Sequence, residues 1–390
     1  MTSQIAIYNP LGVAVASDTV TTIPSDRGIK TTSNAHKLWT IGDNHLIVVA
    51  HSGAVQINGI HSELLVSEWA RTLSSALPTV VDYANSFASW LASSPDWIPV
   101  ESEVREIHRH LNDHYYEIRR RLEVDEPSVS NEGEFVEMFK HHVNAGLEWL
   151  EQLESYDGVT DESDADLIIR LEVDLDEKIN YIFKEVPGLE EVRDILKKSA
   201  PLVLSRAQES SNDSDLSFIG FGRDDYFATS VKVSSRGRYG SGVRAIMGEA
   251  FGASADSQSG SISTFAQSNA MQGFLRGAQY DTLDRVYDYL WDHFVGEDDS
   301  DATKKQEASE LIAGLRKQIE KFQWESFISP MLDTIGTLSL TEMGNLASSL
   351  VGMQAIRSAA SPEPASVGGF IESLVINRAE GIRWINRLPR

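Results

Sequence analysis

Strand-forming sequence stands toward both ends of this 390-residue chain, and long acidic helix-forming stretches fill its middle. That arrangement constrains the fold more than any other feature. Residues 4 to 8 (QIAIY) and 13 to 17 (VAVAS) alternate Ile, Val and Ala, and Asn9-Pro10-Leu11-Gly12 between them is turn chemistry. The pattern predicts a β-hairpin that opens the protein. A further strand is expected over residues 45 to 50 (HLIVVA), followed by Ser52-Gly53 and a helical spacing through Ile57, Ile60, Leu64, Leu65 and Trp69. A second helix is expected over residues 80 to 92. From about 97 to 210 the texture becomes acidic and helical, as in residues 101 to 123 and 134 to 155, with a polar break at 156 to 166 (YDGVTDESDAD).

The strand pattern resumes at 217 to 222 (SFIGFG) and 226 to 234 (YFATSVKVS), with Arg223-Asp224-Asp225 as a turn. Residues 1 to 96 and 211 to 390 therefore read as one domain, and residues 97 to 210 as a helical subdomain inserted into it. A Gly/Ser-rich stretch near 252 to 263 leads into helices expected around 267 to 296 and 303 to 327. Ser339-Leu-Thr-Glu342 has the spacing of a capping box opening a helix to about Ala360. Two last apolar runs, 369 to 376 and 381 to 386, read as a closing hairpin. Segregated runs of strands and helices of this kind indicate an α+β layered domain rather than alternating βα units.

The charge balance excludes several function classes. Thirty-four basic against 58 acidic side chains leave a formal charge of −24, which repels phosphate backbones and anionic lipid, so neither nucleic acid nor membrane is an expected partner. The absence of cysteine removes thiolate metal sites and Cys nucleophiles and gives no disulfide framework. The opening MTSQIAIYNP lacks the basic start and apolar run of a signal peptide, and the compartment is read as cytoplasmic.

Thr2 through Gly12 with Ala16-Ser17-Asp18, then Lys37-Leu38-Trp39-Thr40-Ile41 and Ala50-His51-Ser52-Gly53, resemble proteasome β-type subunits and their bacterial relatives HslV and Anbu. Phe218 to Asp225 and Tyr226 to Gly237 are similar to that family's central hairpin. Phe265-Ala266-Gln267-Ser268 and Gly368-Gly369 are weaker echoes. The resemblance covers roughly residues 1 to 95 and 214 to 390. It implies the four-layer αββα sandwich of N-terminal-nucleophile hydrolases, a threonine-type peptidase acting on peptide or protein substrates without cofactor or metal, and assembly into homo-oligomers.

The same resemblance assigns roles residue by residue. Removal of Met1 would leave Thr2 with a hydroxyl and a free α-amine whose ordinary pKa of about 7.7 to 8.0 suits a base near neutrality. Lys37 matches the lysine that favours the neutral amine and a forming alkoxide, and Asp18 the acid that orients it. Gly53, with Ser52 as its alternative, matches the backbone donor to the oxyanion. Ser268 and Glu363 match a helix-leading serine and an acid before the last strand. Each also has an ordinary reading: Thr2 as a common second residue, Asp18 as a turn residue, Lys37 as a surface lysine, Gly53 as a turn glycine, Ser268 as a helix cap, Glu363 as a loop acid. A non-catalytic scaffold and an amidase for a small amide stay open beside the peptidase. His108, His110 and His114 are expected on an exposed charged helix face with Arg105, Glu106, Arg109 and Glu117 rather than around a metal. The glycines at 220, 222, 237, 240 and 242 read as turns and bulges.

Overall fold

The opening hairpin is the middle of a sheet. In the computed structural model, which describes residues 2–25, 28–93, 98–125, 131–210, 212–240, 242–254, 259–296, 302–362 and 366–389, β1 (Ser3–Asn9) pairs antiparallel with β2 (Gly12–Asp18). Every residue of both strands is buried, so their alternating faces both meet apolar neighbours. Asn9 closes the turn by accepting the Leu11 N–H at 2.9 Å. Gly12 is required by close approach, since a β carbon there would overlap the Ile376 carbonyl oxygen.

A small hairpin, β3 (Thr21–Ser25) and β4 (Gly28–Thr32), follows. Next come β5 (Leu38–Thr40), β6 (Leu46–Gly53), the short pair β7 (Gln56–Ile57) and β8 (Ile60–His61), and helices α1 (Ser62–Ala70) and α2 (Val80–Ser93). The helical spacing expected to begin at Ile57 is overridden there. Asn58 and Gly59 take positive φ values of 52° and 76°, the two-residue hairpin conformation that Asn-Gly favours, and the helix starts only at Ser62.

Among the described residues the middle holds helices α3 (Val100–Asp125), α4 (Glu132–Gln152), α5 (Asp161–Arg170), α6 (Leu175–Ile182) and α7 (Leu189–Ser205). They bury an apolar cluster of their own that includes Leu111, Tyr115, Phe139, Phe183 and Leu196. The polar break expected over 156 to 166 is shorter than its composition suggests, because α5 begins inside it at Asp161. The exposed histidine face does not exist in the expected form. His110 is buried, with its Nδ1 2.9 Å from the Tyr239 hydroxyl, and Glu106 is buried beside it. α3 packs against a strand, Thr229–Tyr239, while Arg105 of the expected face stays exposed and His108, Arg109, His114 and Glu117 are partly exposed.

The chain then returns to sheet with β9 (Ser214–Phe221), β10 (Thr229–Tyr239), β11 (Gly242–Met247), β12 (Phe251–Gly252) and β13 (Ser261–Ala266). Helices α8 (Asn269–Arg276), α9 (Tyr280–Val295), α10 (Ala302–Gln323), α11 (Ser329–Thr337) and α12 (Leu340–Ala359) precede the last strands, β14 (Ile371–Asn377) and β15 (Gly381–Asn386). A π-helical turn, Trp324–Ile328, joins α10 to α11. The expected capping box forms at Ser339 and Glu342. The ladder is irregular between Ser235 and Gly237, where a bulge was read from glycine. Residues 261 to 266, expected as the approach to a helix, are instead an edge strand. All six are at least partly exposed, and their hydrogen bonds to β1 rather than an apolar pattern fix them.

The protein is thus mixed α/β with antiparallel sheets. One sheet runs β13-β1-β2-β14-β15 and another β11-β10-β9-β6-β5. Ala6, Tyr8, Val13 and Val15 of the first meet Val48, Ala50 and Ile219 of the second. The opposite side of the first sheet, through Ile5, Ile7 and Ala14, packs on Met343, Ala347 and Val351 of α12. The opposite side of the second, through Val49, Phe218 and Val231, packs on Trp69 of α1 and Phe87 of α2.

Burial holds the rings of His51 and His114 down from 6.5 to about 4. The unfolded chain protonates these rings near pH 6.5, so below that pH it binds more protons than the folded protein does. Stability therefore falls as pH drops from about 6.5 to about 4, by an order of 3 kcal/mol per ring. Urea midpoints measured across this range should decline on acidification, and the decline should shrink in His114→Gln. A flat profile would contradict it.

Candidate active site

Asp18 ends β2 and is fully buried, and its two oxygens collect four N–H donors. Oδ1 accepts Lys37 Nζ at 2.8 Å and the Ser3 backbone N–H at 2.9 Å. Oδ2 accepts the Val20 N–H at 3.2 Å and the Gly368 N–H at 3.1 Å. A carboxylate is the side chain able to accept so many donors at once.

Lys37 is not the surface lysine of its ordinary reading: it is 4% exposed and immediately precedes β5. Its ammonium donates to Asp18 and to the Val20 carbonyl at 2.6 Å. Among the described residues that leaves one of its three N–H groups unspent. Desolvation lowers its pKa below the usual lysine range, against the opposing pull of Asp18.

The first residues are drawn to this pair by the backbone. Ser3 shares Asp18 Oδ1 with Lys37, so Thr2 stands one residue from the ion pair. Thr2 is 7% exposed, and its carbonyl accepts the Gln267 N–H at 2.9 Å. Ser3 Oγ returns a hydrogen bond to the Gln267 carbonyl at 2.7 Å. This exchange continues the β1–β13 ladder, in which Ser3 opposes Ala266.

Ser268 follows directly and sits at the N-cap of α8, but its side chain caps nothing. Gln354 of α12 does that work instead, accepting the Ala270 N–H at 2.8 Å. Ser268 thus holds the N-cap position of its ordinary reading, without a side-chain capping bond. Gly53 ends β6 with φ +74°, and a β carbon there would overlap the Asp213 carbonyl oxygen, so the position demands glycine. Its strand is tied to the pair through His51, whose N–H donates to the Lys37 carbonyl at 2.9 Å. The His51 carbonyl accepts Gln4 Nε2 at 2.8 Å. Glu363 lies outside the described residues.

Thr2, Asp18 and Lys37 are thus joined by direct hydrogen bonds or by one intervening residue. Ser268 adjoins Thr2 through Gln267, and Gly53 stands two residues from the His51 contact. Three contributors escaped the sequence reading: the Val20 carbonyl, the Gly368 N–H and Gln267. The first two act through backbone, and no side-chain type announces them. The visible traces were the Gly368-Gly369 pair before the last strand and the Phe265-Ala266-Gln267-Ser268 run. Ser366, two residues earlier, places its hydroxyl 3.4 Å from Gln267 Oε1. No family model, curated protein or solved structure matches the chain.

Removing one partner of a buried pair strands the other charge. Lys37→Met and Asp18→Asn should each destabilise the protein by about 3–5 kcal/mol, whereas the double variant should lose clearly less than their sum. Denaturant unfolding of the four proteins measures this, and additive losses would contradict the pairing.

Proposed function

We propose that the chain is a threonine-type N-terminal-nucleophile hydrolase, a self-compartmentalising peptidase that cleaves peptide bonds with Thr2 once Met1 is removed. The observation that carries the reading is the buried Lys37–Asp18 pair, whose shared oxygen also holds the Ser3 N–H. The fold proposed with it is the four-layer αββα sandwich, formed by residues 1 to 96 and 211 to 390, with residues 97 to 210 as the inserted helical subdomain. Support for it comes from two facing antiparallel sheets with α12 on one outer face and α1 and α2 on the other.

In this reading the Thr2 hydroxyl oxygen attacks the substrate carbonyl carbon while the Thr2 α-amine takes the hydroxyl proton. Lys37, aligned by Asp18, keeps that amine neutral and steadies the oxygen as charge develops. A backbone N–H at Gly53 or its neighbour holds the oxyanion. Collapse of the tetrahedral intermediate breaks the C–N bond, and the departing amine carries the proton away. Water then cleaves the acyl ester and restores the threonine. Ser268 and Ser366 are suited to steady the amine during these transfers.

The site needs neither cofactor nor metal in this scheme, and its substrate is a peptide or an unfolded protein. Exposed aromatic side chains on α9 and at the end of α10, among them Tyr289 and Phe322, support assembly with further copies of the chain. A cytoplasmic location is proposed from the sequence alone. Among the described residues no helix is long and apolar enough to cross a membrane.

One observation favours a second reading. Thr2 is nearly buried, which suits a scaffold that keeps the fold without the chemistry. Peptide release from denatured casein by the wild type and by Thr2→Ala separates the two. The hydrolase reading expects casein cleavage that falls by about 10³-fold or more in Thr2→Ala and survives in part in Thr2→Ser. Identical rates in wild type and Thr2→Ala would overturn it.

A further inference from the structure

Away from Thr2, a cavity of about 590 Å³ opens between α3, α4 and the segment leading into β9. Its charged lining divides into groups that are spent and groups that are not. Glu117 is tied to Arg120 and Arg121, and Glu209 to Lys232. Asp113 accepts from Ser210 and Asn212. Arg236 differs. It is 4% exposed, and among the described residues its guanidinium makes one hydrogen bond, Nε to Asp213 Oδ1 at 3.0 Å, which leaves its terminal N–H groups free. His114 also lines the cavity and keeps Nε2 buried with no partner. His114 Nε2 is a buried polar atom left unpaired, and such an atom calls for an occupant that satisfies it.

The wall has a second peculiarity. Gly146 lies inside α4, where glycine is a poor helix former. A β carbon there would meet only His114 Cε1 at 3.6 Å and Ile118 Cδ1 at 3.8 Å, ordinary contacts that would admit alanine. Packing does not demand this glycine, and its effect is to keep the wall open. At the lip stand Trp149 and Tyr116, both nearly half exposed, which offer ring faces to an apolar body.

We propose that this cavity binds a small aromatic carboxylate, with its oxygens on Arg236 and near His114 and its ring against Trp149. Arginine forks match carboxylate geometry, and an occupant with two acceptor oxygens uses the terminal N–H groups of Arg236 that no described residue accepts. The binding does not depend on the hydrolase reading. Its consequence does reach the candidate site, because Asp213, which anchors Arg236, also accepts the Ala54 N–H at 2.8 Å through its carbonyl. An occupant therefore braces the backbone against which Gly53 rests.

Replacing Arg236 would strand the Asp213 charge, so the test leaves that pair intact. Titration calorimetry with N-acetylphenylalanine and with its amide is carried out on the wild type, on Gly146→Phe, which fills the cavity, and on Trp149→Ala, which removes an exposed ring. Saturable one-to-one binding of the acid is expected, with the amide at least about tenfold weaker and the acid weakened at least about tenfold in both variants. In the wild type, hydrogen exchange at the Ala54 amide should slow when the acid is bound. Absence of saturable binding, equal binding of acid and amide, or unchanged binding in Trp149→Ala would overturn the proposal. Unchanged Ala54 exchange in the acid complex would overturn the coupling to Gly53.

Discussion

A lysine ammonium held out of water against an aspartate survives only if the fold satisfies both groups, because desolvating two charges is expensive and their attraction repays it only with good geometry. Here the satisfaction comes from parts of the chain far apart in sequence. Ser3 reaches Asp18 from β1, Val20 supplies both a donor and an acceptor just past β2, and Gly368 arrives from the segment before β14. The pair therefore depends on β1, β2 and β14 lying side by side in that order, and on β5 delivering Lys37 from the facing sheet. A buried pair of this kind offers little net stability over an apolar replacement of the same shape. The pair stands one residue from Thr2 through the Ser3 N–H.

Much of this was legible in the sequence where local chemistry dominates. The opening hairpin follows from alternating apolar residues around an Asn-Pro-Leu-Gly turn, α12 from its capping box, and the closing hairpin from two apolar runs around Asn377 to Glu380. What could not be read there depends on long-range contact. β13 has a weak apolar pattern and is a strand because β1 offers it an edge. His110 and Glu106 look like solvent-facing helix residues until β10 covers them. At Ile57 and Ile60 a helical spacing lost to Asn58-Gly59, a hairpin signal that was present in the sequence and outweighed the periodicity.

The candidate site divides the same way. Thr2, Asp18 and Lys37 came from a resemblance in the sequence; Lys37 bonds Asp18 directly and Thr2 is linked to the pair through Ser3. The groups that complete the arrangement are backbone atoms of Val20 and Gly368 and the amide of Gln354, which caps α8 at the Ala270 N–H. None of these has a side-chain signature at a fixed distance. The Asp213–Arg236 pair is likewise invisible in sequence. It joins the loop before β9 to the bulge of β10, with the central helices on one side and Gly53 on the other.

The most direct test of the account is to treat the assembled, natively expressed protein with a β-lactone acylating agent and map the adduct by peptide mass spectrometry. The account predicts one acyl group per chain, on Thr2 as the first residue, and its loss when Lys37 is replaced by methionine. A protein that keeps Met1 and takes up no label, or carries label only at other residues, would contradict it.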